Sequence, residues 1–491
     1  MYTGKGFEVS ELGDVDIIRH NGLFHLFHLV LPNHDYIAHA VSNDGLLWRR
    51  VKNPIFIGEP GDWDDDMIWT MHVSHDPDGP ALFRMFYTGL CRKESGRVQR
   101  IGLARSNDLY YWEKVSSSHY PLSITGPHYE EAVSEGRHWV SCRDPFFYSE
   151  GSTRILLVNA RVPSGPKIRR GCIGVAREER GDTFHWEKPL FHPGMYDDIE
   201  VPGLYKIKNR YYLFGNIKED VKIHYWHCDT LLGHYEAFAS NVLLPKGNYA
   251  SRITKMEDTY LLWNFFTDRN KAVRTTILPP PTELQVAEDG QLFLQSYSLF
   301  DKKVQLSIPQ DECLPLQRVL KNQTADVRHE AEDVILESLS GYEIFFLEKQ
   351  STDFRLKFTM SMVGVGKWGI VFRSDSQTNG HFISLDLING QAQGRTWGER
   401  PGAEIENFFS YKVIQSNHFD SIKDGDCDIE VIAFGGYIEL SIEGKIVLRY
   451  VETSYMDHDF LGFYVESAAI CLKAVALDLL NGPEEEDHQI M

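Results

Sequence analysis

Three acidic residues stand at bends that lead into β-strands. Asp14 follows Gly13 and precedes Val15-Asp16-Ile17-Ile18. Asp144 lies between Arg143 and Pro145, ahead of Phe146-Phe147-Tyr148, and Glu200 lies between Ile199 and Val201, with Pro202 before Leu204-Tyr205-Lys206-Ile207. A proline has no N–H to give to a sheet ladder, so Pro145 and Pro202 mark strand beginnings rather than interiors. Carboxylates at the mouths of three separate β-units can converge on one pocket. Two carboxyl groups flanking a glycosidic bond are the minimum equipment for hydrolysing it: one protonates the leaving oxygen, and the other, ionised, attacks the anomeric carbon or activates water. A glutamate beside Ile, Val and Pro loses hydration, which favours its protonated form and suits the acid role. Each residue also has an ordinary reading. Asp14 is then a turn residue, Asp144 a turn initiator paired with Arg143, and Glu200 a solvated loop acid. Asp16 competes with Asp14 for the first position.

The elements around these acids repeat. Ile37–Trp48 contains Ala-Val-Ser-Asn-Asp and ends on an aromatic; Ile101–Trp112 echoes it, Ile173–Trp186 is a stretched copy, and Ile223–Tyr235 a faint one. An aromatic-rich strand precedes each copy: Leu23–His28, Leu82–Tyr87, Ile155–Val158 and Tyr211–Phe214, with Tyr260–Trp263 as a fifth. Repeats of this length built from several short strands predict a β-propeller, here with five blades and the acids at the beginnings of innermost strands. After Pro279-Pro280-Pro281 and a strand pair over Leu284–Ser296 the character changes. From about 315, Phe354–Met362, Trp368–Arg373, His381–Leu387 and Cys427–Ala433 read as strands. Tyr437–Ile442 and Ile446–Tyr450 form a hairpin, and Phe460–Val465 and Ala474–Leu480 follow. Clean alternation without a helical period predicts a β-sandwich. The chain is therefore expected to be all-β: a five-bladed propeller over 1–300, a sandwich over 315–481, and an acidic tail over 482–491.

The 491 residues exceed one ordinary core, and 42% apolar with 24% charged content is that of a globular protein. A formal net charge of −20 argues against nucleic acid, whose phosphates need clustered Lys and Arg. The basic run Lys167-Ile168-Arg169-Arg170 is read as a solvated loop. Seven scattered cysteines without a Cys-x-x-Cys pair indicate neither a disulfide framework nor structural zinc, and thiols are expected reduced. The acidic run Asp62-Trp63-Asp64-Asp65-Asp66 lacks the spacing of an EF-hand loop, so a solvated loop or a sugar-contacting rim is expected rather than calcium. No secretory h-region and no stretch of membrane-spanning length is present, so a cytoplasmic protein without membrane contact is expected.

Arg143-Asp144-Pro145 matches the Arg-Asp-Pro motif of glycoside hydrolase family 32. Glu200 and Pro202 match its Glu-Cys-Pro motif, with Val201 in place of cysteine. Trp69-Thr70 sits where that family has an aromatic followed by serine, and Ile37–Trp48 and Leu278–Leu292 resemble its first-blade and propeller-closing segments. The chain thus resembles the β-fructofuranosidases, inulinases and levanases, which have a five-bladed propeller followed by a β-sandwich. The resemblance implies a metal-independent, cofactor-free glycosidase acting on a carbohydrate, most readily a β-fructofuranoside. Asp14 would be the nucleophile, Asp144 the residue that holds furanose hydroxyls, and Glu200 the acid/base. Arg143, Trp69, Thr70, His72, Asp66 and Asp16 are the candidate substrate contacts. If the mechanism is retaining, the carboxyl groups of Asp14 and Glu200 should lie about 5–5.5 Å apart. The family's Asn-Asp-Pro-Asn-Gly is Gly13-Asp14-Val15-Asp16-Ile17 here, its first-blade glutamine is Leu29, and a second-blade serine is His72. These departures admit an arabinofuranoside or an unusual fructan linkage. They also keep two rivals open: an inverting arabinofuranosidase or xylosidase-like propeller enzyme, and a catalytically inactive carbohydrate-binding protein. In the sandwich, Trp368 and Trp397 are the aromatics that could bind sugar. Subunit number stays open.

Overall fold

The computed structural model describes residues 11–267, 278–314, 316–363, 366–399, 409–422 and 425–483. The expected acidic tail, from 484 onward, lies outside the described residues. Two compact units divide the chain: one within 1–243 and 248–291, the other within 244–247 and 292–484. The fold is almost entirely β, a five-bladed propeller followed by a sandwich-like sheet. Helix among the described residues is confined to one α-turn, Gln310–Cys313, and three short 3-10 segments.

In the first unit each blade is an antiparallel meander. The first runs Glu11–His20, Leu23–Leu31, Ile37–Ser42 and Arg49–Val51; the second Met67–His75, Phe83–Leu90, Arg100–Ser106 and Glu113–Lys114. The third runs Arg143–Glu150, Thr153–Arg161, Gly171–Arg180 and Thr183–Trp186, and the fourth Glu200–Ile207, Arg210–Ile217 and Lys222–Cys228. Asn248–Met256, Thr259–Phe266 and Thr282–Val286 belong to the fifth. The leading strands of the five touch in cyclic order, and that of the fifth touches that of the first, which closes the ring.

The repeated Ser-Asn-Asp…Trp segment has a local cause. Ser42 Oγ accepts the amides of Asp44 and Gly45, Asp44 Oδ1 accepts those of Leu46 and Leu47, and the Trp48 indole donates to Gly45 O at 3.1 Å. Ser106, Asp108 and Trp112 repeat the set, with Trp112 donating to Leu109 O at 2.8 Å. A hydroxyl and a carboxylate satisfy the turn's amides, and the indole folds back over it. Between blades the wedge is filled by buried side chains such as Phe27, Met71 and Tyr87, or Phe86, Phe147 and Leu156. The acidic run is no solvated loop. Asp64 is buried against Tyr87 and Lys114, and Asp65 accepts the amides of Gly61 and Arg92.

All five leading strands carry a β-bulge near their beginning. Gly13-Asp14 oppose Leu29, Asp144-Pro145 oppose Val158, Val201-Pro202 oppose Gly215, and Ala250-Ser251 oppose Asn264; Thr70 is the extra residue between Trp69 and Met71. A bulge bends its strand and re-aims side chains, which explains the acid-then-bend pattern of the sequence. Gly13 eases a close approach, since a Cβ there would sit 3.1 Å from Leu29 Cβ and the leucine would have to give by a few tenths of an ångström.

In the second unit Phe460–Leu480 is one 21-residue strand where two separate strands were expected. Its first half pairs with Lys367–Ser374 and its second with Phe354–Met362, and Ser467 between them holds a positive φ of 48°. The backbone thus changes partner without breaking the ladder. Asp333–Phe346 accompanies it along both halves. Trp368 is buried in this unit's core, whereas Trp397 is 40% exposed beside Tyr342, Phe382 and Tyr411. All seven cysteines are free.

Candidate active site

The bulges gather Asp14, Trp69, Thr70, Arg143, Asp144, Glu200, Val201 and Tyr249 around one cavity of about 170 Å³, with Gly13, Leu29, Leu31, His34 and Phe265 completing its wall. Asp144, Val201 and Ala250 hold positive φ of 58°, 46° and 56°. Such backbone costs roughly 1–3 kcal/mol per residue for an L side chain and persists only where its surroundings enforce it. Here the enforcement is visible. The Asp144 N–H donates to Thr88 Oγ1 at 3.0 Å, the Val201 N–H donates to Asp144 Oδ2 at 3.0 Å, and Arg252 Nη1 donates to the carbonyls of Val201 and Pro202.

Asp14 is pushed from 3.8 up to about 7, by burial first and then by the nearby charge of Asp144; the Thr70 hydroxyl, which donates to Asp14 Oδ2, pulls the other way. Asp144 is also raised, by burial and by Glu200, against the opposing pull of Arg143. Glu200 has different company from its sequence neighbours. Ile199 is buried in the core between blades and Val201 packs beside Tyr249 at the cavity wall, while the Glu200 carboxylate itself is met by Arg143 Nη2 at 2.8 Å and the Tyr249 hydroxyl at 2.5 Å. The apolar surroundings expected for the glutamate are instead those of Asp14, flanked by Leu29 and Leu31. Burial pulls the Arg143 guanidinium down, but Asp198, Asp144 and Glu200 together hold it well above its ordinary value. It stays a cation inside a wall of acids.

Three expected contacts face elsewhere. Asp16, 2% exposed, accepts the Val73 amide at 2.5 Å and pairs with Arg252 at 3.2 Å and His72 at 3.3 Å. The bulge at Gly13-Asp14 puts the two aspartates on different neighbours although they are two apart. The bulge at Thr70 likewise turns Thr70 into the cavity and His72 away, stacked on Phe146 at 4.3 Å with Nε2 3.2 Å from Phe147 O. Asp66 lies outside the lining, 3.9 Å from Arg92.

Tyr249 and Asp198 were not singled out by sequence reasoning. Tyr249 occupies the place in the fifth leading strand that Glu200 holds in the fourth, but Asn248-Tyr249-Ala250-Ser251 has neither acid nor proline to flag it. Asp198, two residues before Glu200, was within reach of an alternation argument. Behind the cavity it joins Arg143 to Arg137. Arg137, near the end of the long loop that leads into the third blade, has no local signature. Arg170, expected in a solvated loop, is buried, with Nη1 2.8 Å from Glu130 Oε1; Lys167 to Arg169 are exposed. Among the described residues no group of three or more His, Cys, Asp or Glu is placed to hold a metal ion. No described helix is long and apolar enough to cross a membrane.

A propeller whose bulged strands aim carboxylates and an arginine into one small cavity is the architecture of a glycosidase. The chain matches the glycosyl hydrolases family 32 N-terminal domain over residues 15–274 and belongs to that family, so it is a glycoside hydrolase. No curated protein matches it by sequence. Among solved structures it is similar to the sucrose-6-phosphate hydrolase of Lactobacillus gasseri (TM-score 0.69, 14% identity, 97% of this chain and 92% of that one). It is also similar to fructan 1-exohydrolase IIa of Cichorium intybus (0.69, 12%, 98% and 97%) and to the exo-inulinase of Aspergillus awamori (0.68, 12%, 97% and 97%). At such identities these likenesses speak for the fold alone.

Proposed function

We propose that the protein hydrolyses β-fructofuranosides by a retaining, two-step mechanism. The observation that supports this most is the convergence of Asp14, Asp144 and Glu200, from three different blades, on one cavity that also holds Arg143. In this reading Glu200 protonates the glycosidic oxygen while ionised Asp14 attacks the anomeric carbon. The covalent intermediate is then opened by a water molecule that gives its proton to Glu200. Asp144 accepts hydrogen bonds from ring hydroxyls, which count most if they strengthen as the ring becomes cationic. Arg143 keeps Glu200 and Asp144 apart in charge and fixed in place. A cavity of 170 Å³ is small beside the ~300–1,000 Å³ of ordinary ligand sites, which suits one terminal sugar ring rather than an internal stretch of chain.

The apolar wall formed by Leu29, Leu31 and Phe265 favours a second reading, a pentofuranoside. A pentofuranose ring carries one hydroxymethyl arm where fructofuranose carries two, so it has one hydroxyl fewer to leave unpaired against leucine. A release assay over sucrose, 1-kestose, inulin, levan and aryl arabinofuranosides separates the two. Fructose release is the expected result, arabinose release alone would move the assignment to pentofuranosides, and no release from folded protein would count against both.

A further inference from the structure

Asp198 lies directly behind the cavity without lining it. It is 3% exposed, and its Oδ2 is 3.0 Å from Arg143 Nη2, the same nitrogen that meets Glu200 Oε1 at 2.8 Å. One guanidinium nitrogen therefore serves two carboxylates. Asp198 in turn is held by Arg137 through two bonds, Nη1 to Oδ2 at 2.7 Å and Nη2 to Oδ1 at 2.9 Å. Arg137 is anchored by Ser141 Oγ at 2.7 Å and by Asp197 Oδ2 at 2.6 Å. Charge alternates along the line Arg137, Asp198, Arg143, Glu200. Its far end leads through Asp197, whose side chain is 39% exposed, and its near end is the cavity.

In a water-poor site each partner's charge acts strongly on the next, and a removed partner leaves its neighbour to interact elsewhere. Asp198 competes with Glu200 for Arg143, and Arg137 competes with Arg143 for Asp198. The groups that face Glu200 are Arg143 and Asp144 from the third leading strand, Tyr249 from the fifth and Asp14 from the first. Arg137 reaches them only by way of Arg143, to which it is linked by the charged Asp198 and by the neutral Ser141 Oγ, which accepts from both arginines at 2.7 and 3.2 Å. Resting on the reading of Glu200 as the acid/base, we propose that Asp198 and Arg137 are positioning residues that divide Arg143's charge and so set the pH at which Glu200 gives up its proton.

The two residues act in opposite directions. With Asp198→Asn, Arg143 turns its full charge on Glu200, which ionises at lower pH. With Arg137→Gln, Asp198 leans harder on Arg143, and Glu200 keeps its proton to higher pH. Each displacement should be about 0.5–1 pH unit, at or below the low end of what a directly adjacent charge does, because both residues act through Arg143. Asp198→Glu and Arg137→Lys keep the charges and should restore most of the wild-type behaviour.

The test follows the side-chain carboxyl carbon of Glu200 by NMR in protein labelled at glutamate, the signal being identified by its absence in Glu200→Gln. Titration midpoints displaced downward in D198N and upward in R137Q are expected. Midpoints unmoved in both variants, or moved the same way, would overturn the inference, because a merely structural bracket has no reason to act with two signs. If D198N fails to fold, the upward displacement in R137Q and its reversal in R137K carry the test alone. The readout needs no turnover, so it stands apart from the functional reading, which fails separately if Glu200→Gln leaves kcat on a cleaved furanoside unchanged.

Discussion

At the strand ends remote from the cavity, Arg84, Arg105 and Arg154 meet Asp76, Glu178 and Asp182. Arg84 bonds Glu178 through two nitrogens at 3.0 and 3.3 Å, Arg154 bonds Glu178 at 2.5 Å and Asp76 at 2.9 Å, and Arg105 holds Asp182. Three cations face three anions, and Phe147 packs against Arg84 at 3.9 Å. Burial pushes Glu178 up, yet Arg84 and Arg154 overcome it and hold the carboxyl below its ordinary range. The cavity end of the same blades is assembled from the same residue types with a different balance. Arg143 is surrounded by Asp198, Asp144 and Glu200, and Asp14 beside them is driven up rather than down. One network is closed and ties blades together. The other is left short of positive charge at a cavity, as a site that must both hold and release protons requires.

Removing single charges separates the two. The largest effect should come from Glu200→Gln, a loss of about 10²–10⁴-fold in kcat with the melting temperature nearly unchanged. Arg84→Met should do the reverse. It leaves Glu178, Asp76 and Asp182 under-compensated, destabilising the propeller by roughly 3–5 kcal/mol in denaturant melts while the protein that remains folded keeps the wild-type pH–rate profile. A retained stability in R84M, or a displaced profile, would erase the distinction.

Asp14→Asn gives the next effect. The folded protein holds the Asp14 proton up to about pH 7, whereas an unfolded chain releases it near 3.8. The folded state therefore binds more protons between these values, and stability falls as pH rises through that window. Asparagine cannot ionise, so D14N should melt higher than wild type above pH 7, with the gap closing towards pH 4. A constant gap would show that Asp14 titrates normally. Thr70→Val should act more gently. It removes the hydroxyl that favours ionised Asp14, so the acid limb of kcat/KM, expected near pH 7 in the wild type, moves to higher pH.

The blade repeat was legible because its cause is local: a serine, an aspartate and a tryptophan within seven residues close their own turn. The strand-leading acids were legible for a related reason, since a bulge that turns a side chain favours glycine or proline beside it. What the bulge does to the residues beyond it could not be read. Asp16 and His72 look equivalent to their cavity-facing neighbours until the extra residue changes which side they take. Arg137 and Tyr249 reach the site through tertiary placement, one from a long loop and one from the fifth blade, with no pattern in their own segments. The acids of the 62–66 run are spent on backbone amides, Tyr87, Lys114 and Arg92, a use that composition does not distinguish from a solvated loop.

The measurement that tests the central claim most directly is the configuration of the first sugar released from a cleaved furanoside, followed by NMR before the anomers equilibrate. Attack by Asp14 and then by water inverts the anomeric carbon twice, so the released sugar should carry the configuration of the substrate. A product first seen as the opposite anomer would mean that water attacks directly, and Asp14 could not be the nucleophile.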